Sequence, residues 1–295
     1  MIKNLDKKQL AYLELHFCVF LWGFTAILGK LIQISELPLV WFRILITCIS
    51  ILFIPKFFEN LKKVNKNQIK NLAFIGCLVA LHWLFFYGSI KYSNASIGVI
   101  CMSTSAFFTS LINPLFFKKK LQRSELLFAL FVIFGMYLIF NSSSLYILGI
   151  ILGLIGALLA SIFTILNKKA VEEIEPLSMT FIELGSGLLF LTIISPIYFY
   201  LFPKSNFLPS TNDFFYLMIL ALLCTTLPFS LSLKSLKHVS AFTANFAVNL
   251  EPIYGIILAF IIFKENKDLN LNFYIGAFVI TLSVFSQGFI KKIFK

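Results

Sequence analysis

Ten apolar runs, each about 20 residues long and joined by short connections, constrain this chain more than any other feature. Taking charges, prolines and Asn/Ser clusters as boundaries, they cover 11–33, 38–57, 70–90, 94–117, 124–141, 145–167, 177–202, 212–233, 240–263 and 271–290. As a helix, a run of that length matches the hydrocarbon thickness of a bilayer, where the backbone must satisfy its own polar groups. The connections leave no room for an extramembrane domain. With 59% hydrophobic and 13% charged residues, the chain has too little polar surface to clothe a soluble globule.

The net charge of +12 does not point to nucleic acid, because the lysines sit in short loops between apolar runs rather than on one basic face. Placing the N-terminus in the cytoplasm puts nineteen Lys and Arg residues inside. Five lie outside (Lys30, Lys91, Lys204, Lys264, Lys267), and Arg43 is within the second run. The expectation is a multi-pass protein with both termini cytoplasmic. The Lys, Asn, Ile and Phe richness suggests an AT-rich genome and a bacterial inner membrane. All five cysteines fall inside apolar runs with no CxxC pair, and His16, His82 and His238 are scattered, so neither a disulfide framework nor a metal site is expected. No phosphate loop, nucleophile elbow or zincin signature occurs, and no cofactor is expected.

The chain repeats itself. Moving back by 147 positions lays Tyr92–Gln122 along the segment His238–Asn266, with Phe107 on Tyr254 and the Phe116–Lys120 cluster on Phe263–Lys267. A shift of 138 aligns Trp22–Lys30 with Ala160–Lys168 and Pro38 with Pro176. Five is an odd number of crossings, so the second copy enters the membrane from the opposite side. The expected fold is an all-α integral membrane protein of ten transmembrane helices arranged as two inverted five-helix repeats, residues 1–143 and 144–295. Secondary transporters use that symmetry to build two related gates around a midplane site.

The segments WGFTAILGKL and PLVWFRIL in the first copy, FYGSIKYSNASIGVI leading into helix 4, and NLEPIYGIILAFIIFKE in helix 9 resemble the drug/metabolite transporter superfamily, in its ten-helix EamA-type branch. The resemblance spans the whole chain. It implies a carrier with a central cavity lined chiefly by helices 1, 3, 4, 6, 8 and 9, and export of a small organic metabolite, often an amino acid or related compound. Where members often carry Pro, the first copy has Ser105, aligned with Pro252. Asn113 and Pro114 come about two turns later, so the break in helix 4 is expected nearer the cytoplasmic end. Arg43 resembles an arginine that members place after the proline opening helix 2.

Glu251 is the foremost candidate for chemistry. A carboxylate in mid-membrane must face a cavity, find a partner or be protonated, and Pro252 frees backbone polarity at the same depth. Glu251 reads as a site for a substrate amino group or a proton, against the plainer role of holding helix packing. Asn245 lies about 120° from Glu251 on an ideal helix, so the two are not expected to share a narrow cavity. Asn249 is the expected companion and Asn245 an interhelix hydrogen bonder. Trp83 and Tyr87, one turn apart, could present a ring face and a hydroxyl to a substrate, and Trp22 a cavity wall. His82 is a candidate proton relay, with a hydrogen bond to a neighbouring helix as the alternative. Arg43 reads as a gating or structural residue able to clamp loop carbonyls or Glu36, with Glu183 as its counterpart in the other copy and Pro252 as a structural element. Glu14 is expected to pair with a basic loop. Gly149, Gly153, Gly156, Ala157 and Ala160 give helix 6 a close-packing face.

The reading is a permease that moves a small polar or amphipathic metabolite by alternating access, outward, with membrane lipid around it and protons as candidate coupling ions. The rival is an intramembrane enzyme acting on a lipid or headgroup. The only acid–base pair available to it is Glu251 with His82.

Overall fold

A computed structural model describes residues 6–118, 123–142, 146–267 and 269–293. Lys3, Lys119, Lys120 and Lys295, counted above among the inside charges, lie outside the described residues. Among the described residues every regular element is helical. The helices are α1 (Lys7–Trp22), α2 (Thr25–Leu31), α3 (Glu36–Leu52), α4 (Phe57–Leu61), α5 (Lys66–Tyr92), α6 (Ala95–Met102), α7 (Ser105–Phe117) and α8 (Arg123–Ser142). There follow α9 (Ile147–Ala170), α10 (Pro176–Leu201), α11 (Thr211–Ala221), α12 (Leu227–Leu236), α13 (Ala241–Val248), α14 (Glu251–Phe263) and α15 (Leu271–Ile293).

Among the described residues seven helical spans are long and apolar enough to cross a membrane: Lys7–Leu31, Lys66–Tyr92, Ala95–Phe117, Ile147–Ala170, Pro176–Leu201, Thr211–Leu236 and Ala241–Phe263. The other three expected runs fall on α3, which has 17 residues, and on α8 and α15, with shorter apolar stretches at 130–139 and 271–283. The protein is a multi-pass, all-helical membrane protein. Its outer face is greasy, as lipid requires: Leu189, Ile193 and Ile197 form an exposed stripe four residues apart on α10.

Local sequence sets several helix starts. Asp6 with Gln9, Asn65 with Gln68 and Ser210 with Asp213 form capping boxes at α1, α5 and α11, while Asn94 and Ser240 cap α6 and α13 through Ile97 N and Thr243 N. Packing follows the small residues. A Cβ on Gly149 would lie 2.6 Å from Ser93, and one on Gly153 would lie 2.7 Å from Cys101, so α9 settles against α5 and α6 only because these positions are bare.

Three spans are broken near their middles. α1 passes to α2 at Gly23–Phe24, α6 to α7 at Ser103–Thr104, and α13 to α14 at Asn249–Leu250. Each break is tightened by i→i+3 hydrogen bonds: Phe24 N to Leu21 O, Ser103 N to Ile100 O, and Asn249 N to Phe246 O. The break in helix 4 is therefore not displaced toward Asn113 and Pro114 as expected, and Pro114 lies inside continuous α7. The arms on either side of the two later breaks have equal lengths, 8 and 13 residues, and their ends differ by 146 positions rather than 147. Ser105 thus falls on Glu251, not on Pro252. Both longer arms end on a lysine in left-handed backbone, Lys118 (φ 49) and Lys264 (φ 57).

A fourth irregularity divides α11 from α12, where Leu222–Thr226 winds as a π-turn. The Thr225 and Thr226 hydroxyls donate to Leu220 O (2.7 Å) and Ala221 O (3.0 Å), occupying carbonyls that the wider winding leaves free.

Candidate functional site

The broken spans meet around a cavity. Spans 95–117 and 241–263 run antiparallel: a Cβ on Gly255 would lie 3.2 Å from Val99, and Asn245 Nδ2 donates to Thr109 Oγ1 at 2.7 Å. Gly23 brings α14 against α1, since a Cβ there would lie 2.6 Å from that of Tyr254. The cavity begins at the three breaks, marked by Trp22 and Thr25, Met102 and Ser105, and Val248 and Glu251. It extends toward Asn167, Leu236 and Ala244, and α3, α5, α9 and α12 complete its wall. Its volume open to the centre of a water molecule is about 100 Å³, several times the ~10–15 Å³ that one water needs. A small solute fits this space.

Glu251 lines the cavity at 5% exposure. Its one hydrogen-bond contact among the described residues is Thr25 Oγ1 at 3.5 Å, and that hydroxyl also reaches Trp22 O at 2.7 Å. A hydroxyl has one proton, and the shorter bond claims it, so the carboxylate is left to face the cavity. Arg43 lines it too, at 2% exposure, and is therefore no clamp of loops. Its Nε donates to Thr225 Oγ1 at 2.7 Å, Nη1 to Tyr87 Oη at 2.8 Å and Nη2 to Cys224 O at 3.4 Å, all neutral acceptors supplied by the π-turn and α5. Glu36, the expected partner of Arg43, instead accepts from Tyr198 Oη at 2.8 Å.

Trp22, Trp83 and His82 also line the cavity. His82 Nδ1 lies 2.8 Å from Gly156 O, and because a carbonyl only accepts, Nδ1 carries a proton and donates it there. Tyr87 is absent from the wall. Its ring packs against Gly29, where a Cβ would lie 2.4 Å from it, and its hydroxyl is spent on Arg43.

Asn245 is the expected interhelix hydrogen bonder, but it, and not Asn249, is the companion of Glu251 in the cavity wall. Asn245 lines the cavity together with Glu251, and it also bonds Thr109 and accepts from Thr164 Oγ1 at 3.1 Å. The 120° separation of an ideal helix does not hold because the break at Asn249–Leu250 resets the helical phase between the two residues. Asn249 is wholly buried at the break, outside the wall, and among the described residues neither amide atom has a hydrogen-bond partner. Glu183 is likewise buried off the wall, with Oε2 accepting from Asn167 Nδ2 at 3.2 Å, and Pro252 occupies the first turn of α14, where a missing N–H is tolerated. Glu14 accepts from Lys234 and Ser235. Among the described residues no group of three His, Cys, Asp or Glu side chains could hold a metal ion.

Glu265 is the residue that sequence reasoning passes over. The only signal is a lone carboxylate between Lys264 and Lys267, yet it is 1% exposed and accepts from Lys30 Nζ, Ala95 N, Ser96 N and Ser96 Oγ. Burial pushes its carboxyl up. The Lys30 and Ser96 hydrogen bonds and the Lys30 charge outweigh that and hold it below the usual carboxylate range.

Comparison with known proteins agrees with this architecture. The model of the EamA-like transporter family matches residues 10–141 and again 147–286. The chain is 22% identical over 261 residues to an uncharacterized transporter of Clostridium kluyveri, spanning 82% of this chain and 81% of that one. It is 25% identical over 280 residues to the uncharacterized transporter YetK of Bacillus subtilis, spanning 88% and 82%. A protein of solved crystal structure, 12% identical, aligns with a TM-score of 0.68 over 95% of this chain and 96% of its own, a likeness of fold alone.

Proposed function

We propose, for a chain that belongs to the EamA-like transporter family and is a membrane transporter, that it works as a secondary carrier which exports a small organic metabolite by alternating access. Its ten helices form two inverted repeats, 1–143 and 144–295, with both termini in the cytoplasm of a cell whose inner membrane it spans. One observation carries this reading: the three broken spans converge on a cavity in which Glu251, free of a strong partner, faces the same space as Arg43, Trp22 and Trp83. An unpaired carboxylate in lipid is expensive unless a ligand or a proton completes it. Glu251 receives a substrate ammonium or a proton, while the indole walls accept an apolar part. Amino acids and related compounds combine those features. Trp22, His82, Trp83 and Glu251 form the substrate wall, joined by Asn245. Asn249, Arg43, Glu183 and Pro252 shape or move it, and Tyr87 supports Arg43.

The test is uptake of labelled amino acids and a wider metabolite panel into proteoliposomes, with and without a pH gradient, by the parent protein and Glu251→Gln. Saturable uptake that follows the gradient and is lost in the variant supports a proton-coupled carrier. Uptake that ignores the gradient and survives Glu251→Gln makes this a facilitator with a structural Glu251. Absence of uptake across the panel overturns the carrier.

A further inference from the structure

At the end of the bundle that the cavity does not reach, one side chain ties three helices together. α14 stops at Phe263, Lys264 turns the chain, and Glu265 follows in a short 3-10 turn, Glu265–Lys267. Its Oε1 accepts from Lys30 Nζ at 2.7 Å and from Ala95 N at 3.1 Å, and its Oε2 accepts from Ser96 N at 3.0 Å and Ser96 Oγ at 2.6 Å. Four donors saturate a carboxylate. Lys30 belongs to the last turn of α2, and its ammonium also stands 4.5 Å over the Phe263 ring. Ala95 and Ser96 open α6. One carboxylate thus joins the far ends of all three broken spans, whose breaks form the cavity roof.

The other end is tied differently: Glu14 of α1 accepts from Lys234 and Ser235, both of α12, and the lysine corresponding to Lys30 has no such fastening. Lys168, which falls on Lys30 across the repeat, donates to Leu236 O at 2.6 Å, and the carboxylate beside it is Glu172, 3.7 Å away and 66% exposed. An exposed pair four residues apart on one helix holds little. A buried, fully bonded carboxylate cannot leave without stranding its donors.

We propose that Lys30 and Glu265 are gate residues, a latch that closes the carrier at the α2/α14 end and sets its resting state open toward the Asn167 end. This rests on the carrier reading above. For solute to pass, Glu265 must leave the start of α6 and Lys30 must leave Glu265, after which α2, α6 and α14 separate. Removing the latch lets the closed end open without any substrate.

The experiment uses the full chain with its five native cysteines replaced and Met102→Cys as reporter, since Met102 lines the cavity at the α6/α7 break. A membrane-impermeant thiol reagent is applied separately to each face of proteoliposomes of known orientation. The latched protein should label from the Asn167 end only. Glu265→Gln and Lys30→Met should each also label from the Lys30 end, at least tenfold faster than the latched protein. Lys30→Met, which keeps the Glu265 bonds to α6, should gain less. An unchanged rate from the Asn167 end shows that both variants remain folded. Labelling that stays one-sided in both variants overturns the latch and leaves the carrier standing. Two-sided labelling in a protein that takes up nothing keeps the latch and removes the carrier.

Discussion

The guanidinium carbon of Arg43 stands 3.9 Å over the ring of Trp83. Both residues line the cavity, so α3 and α5 present one composite wall in which a buried cation covers an aromatic face. Arg43 reaches this place because α3 crosses the π-turn at Leu222–Thr226, which offers Thr225 Oγ1 and Cys224 O to its fork. Lysine has no such fork, and the position is specific for arginine.

Tyr87→Phe should remove one acceptor from Arg43 and change no shape. A buried guanidinium N–H left unbonded costs about 1–3 kcal/mol, read as a lowered thermal midpoint in detergent. An unchanged midpoint would mean that the Nη1–Oη bond contributes nothing.

Two glycines, one in a helix contact and one outside it, should behave oppositely. A Cβ on Gly76 would stand 2.0 Å from the backbone oxygen of Glu183, and backbone cannot rotate away, so Gly76→Ala should part α5 from α10 at a cost of about 3 kcal/mol or more. Gly185, also on α10, has nothing within 4 Å of its would-be Cβ, and Gly185→Ala should be neutral or gain about 0.5–1 kcal/mol. Thermal melts of the two variants side by side check the contact, and equal behaviour would refute it.

Stability should depend on acid through Glu265. Because its folded carboxyl is held below the ordinary value of 4.5, its contribution is complete above that value and is lost as pH falls through the lowered one. Melting midpoints of the parent chain should therefore decline through this acidic window more than those of Glu265→Gln. Parallel pH profiles would show that the Lys30 and Ser96 bonds do not stabilise the fold.

Pro252→Ala should leave the α13/α14 break in place and cost under about 1 kcal/mol. The breaks at Gly23–Phe24 and Ser103–Thr104 form without proline and carry the same i→i+3 bonds. Backbone exchange that becomes protected across Asn249–Leu250 in the variant would instead make Pro252 the cause.

The sequence by itself determined what local chemistry controls. Runs of apolar side chains set where the membrane spans fall, because no other environment accepts them, and Asp6, Asn65, Asn94, Ser210 and Ser240 mark helix starts through bonds to residues only three positions away. Glu251 stood out because a carboxylate in an apolar run needs an explanation. Tertiary structure decided the rest. Periodicity assumes an unbroken helix, so it could not bring Asn245 and Glu251 to one cavity across the reset at Asn249. Tyr87 looked like a ligand until Arg43, 44 positions earlier, took its hydroxyl. Glu265 looked like a loop charge until Lys30, 235 positions away, and Ser96, 169 away, enclosed it. A polar group in a membrane bundle takes its role from whichever helix brings it a partner. Hydropathy places the helices in the bilayer but does not specify their neighbours, because lipid is as apolar as most side chains between them.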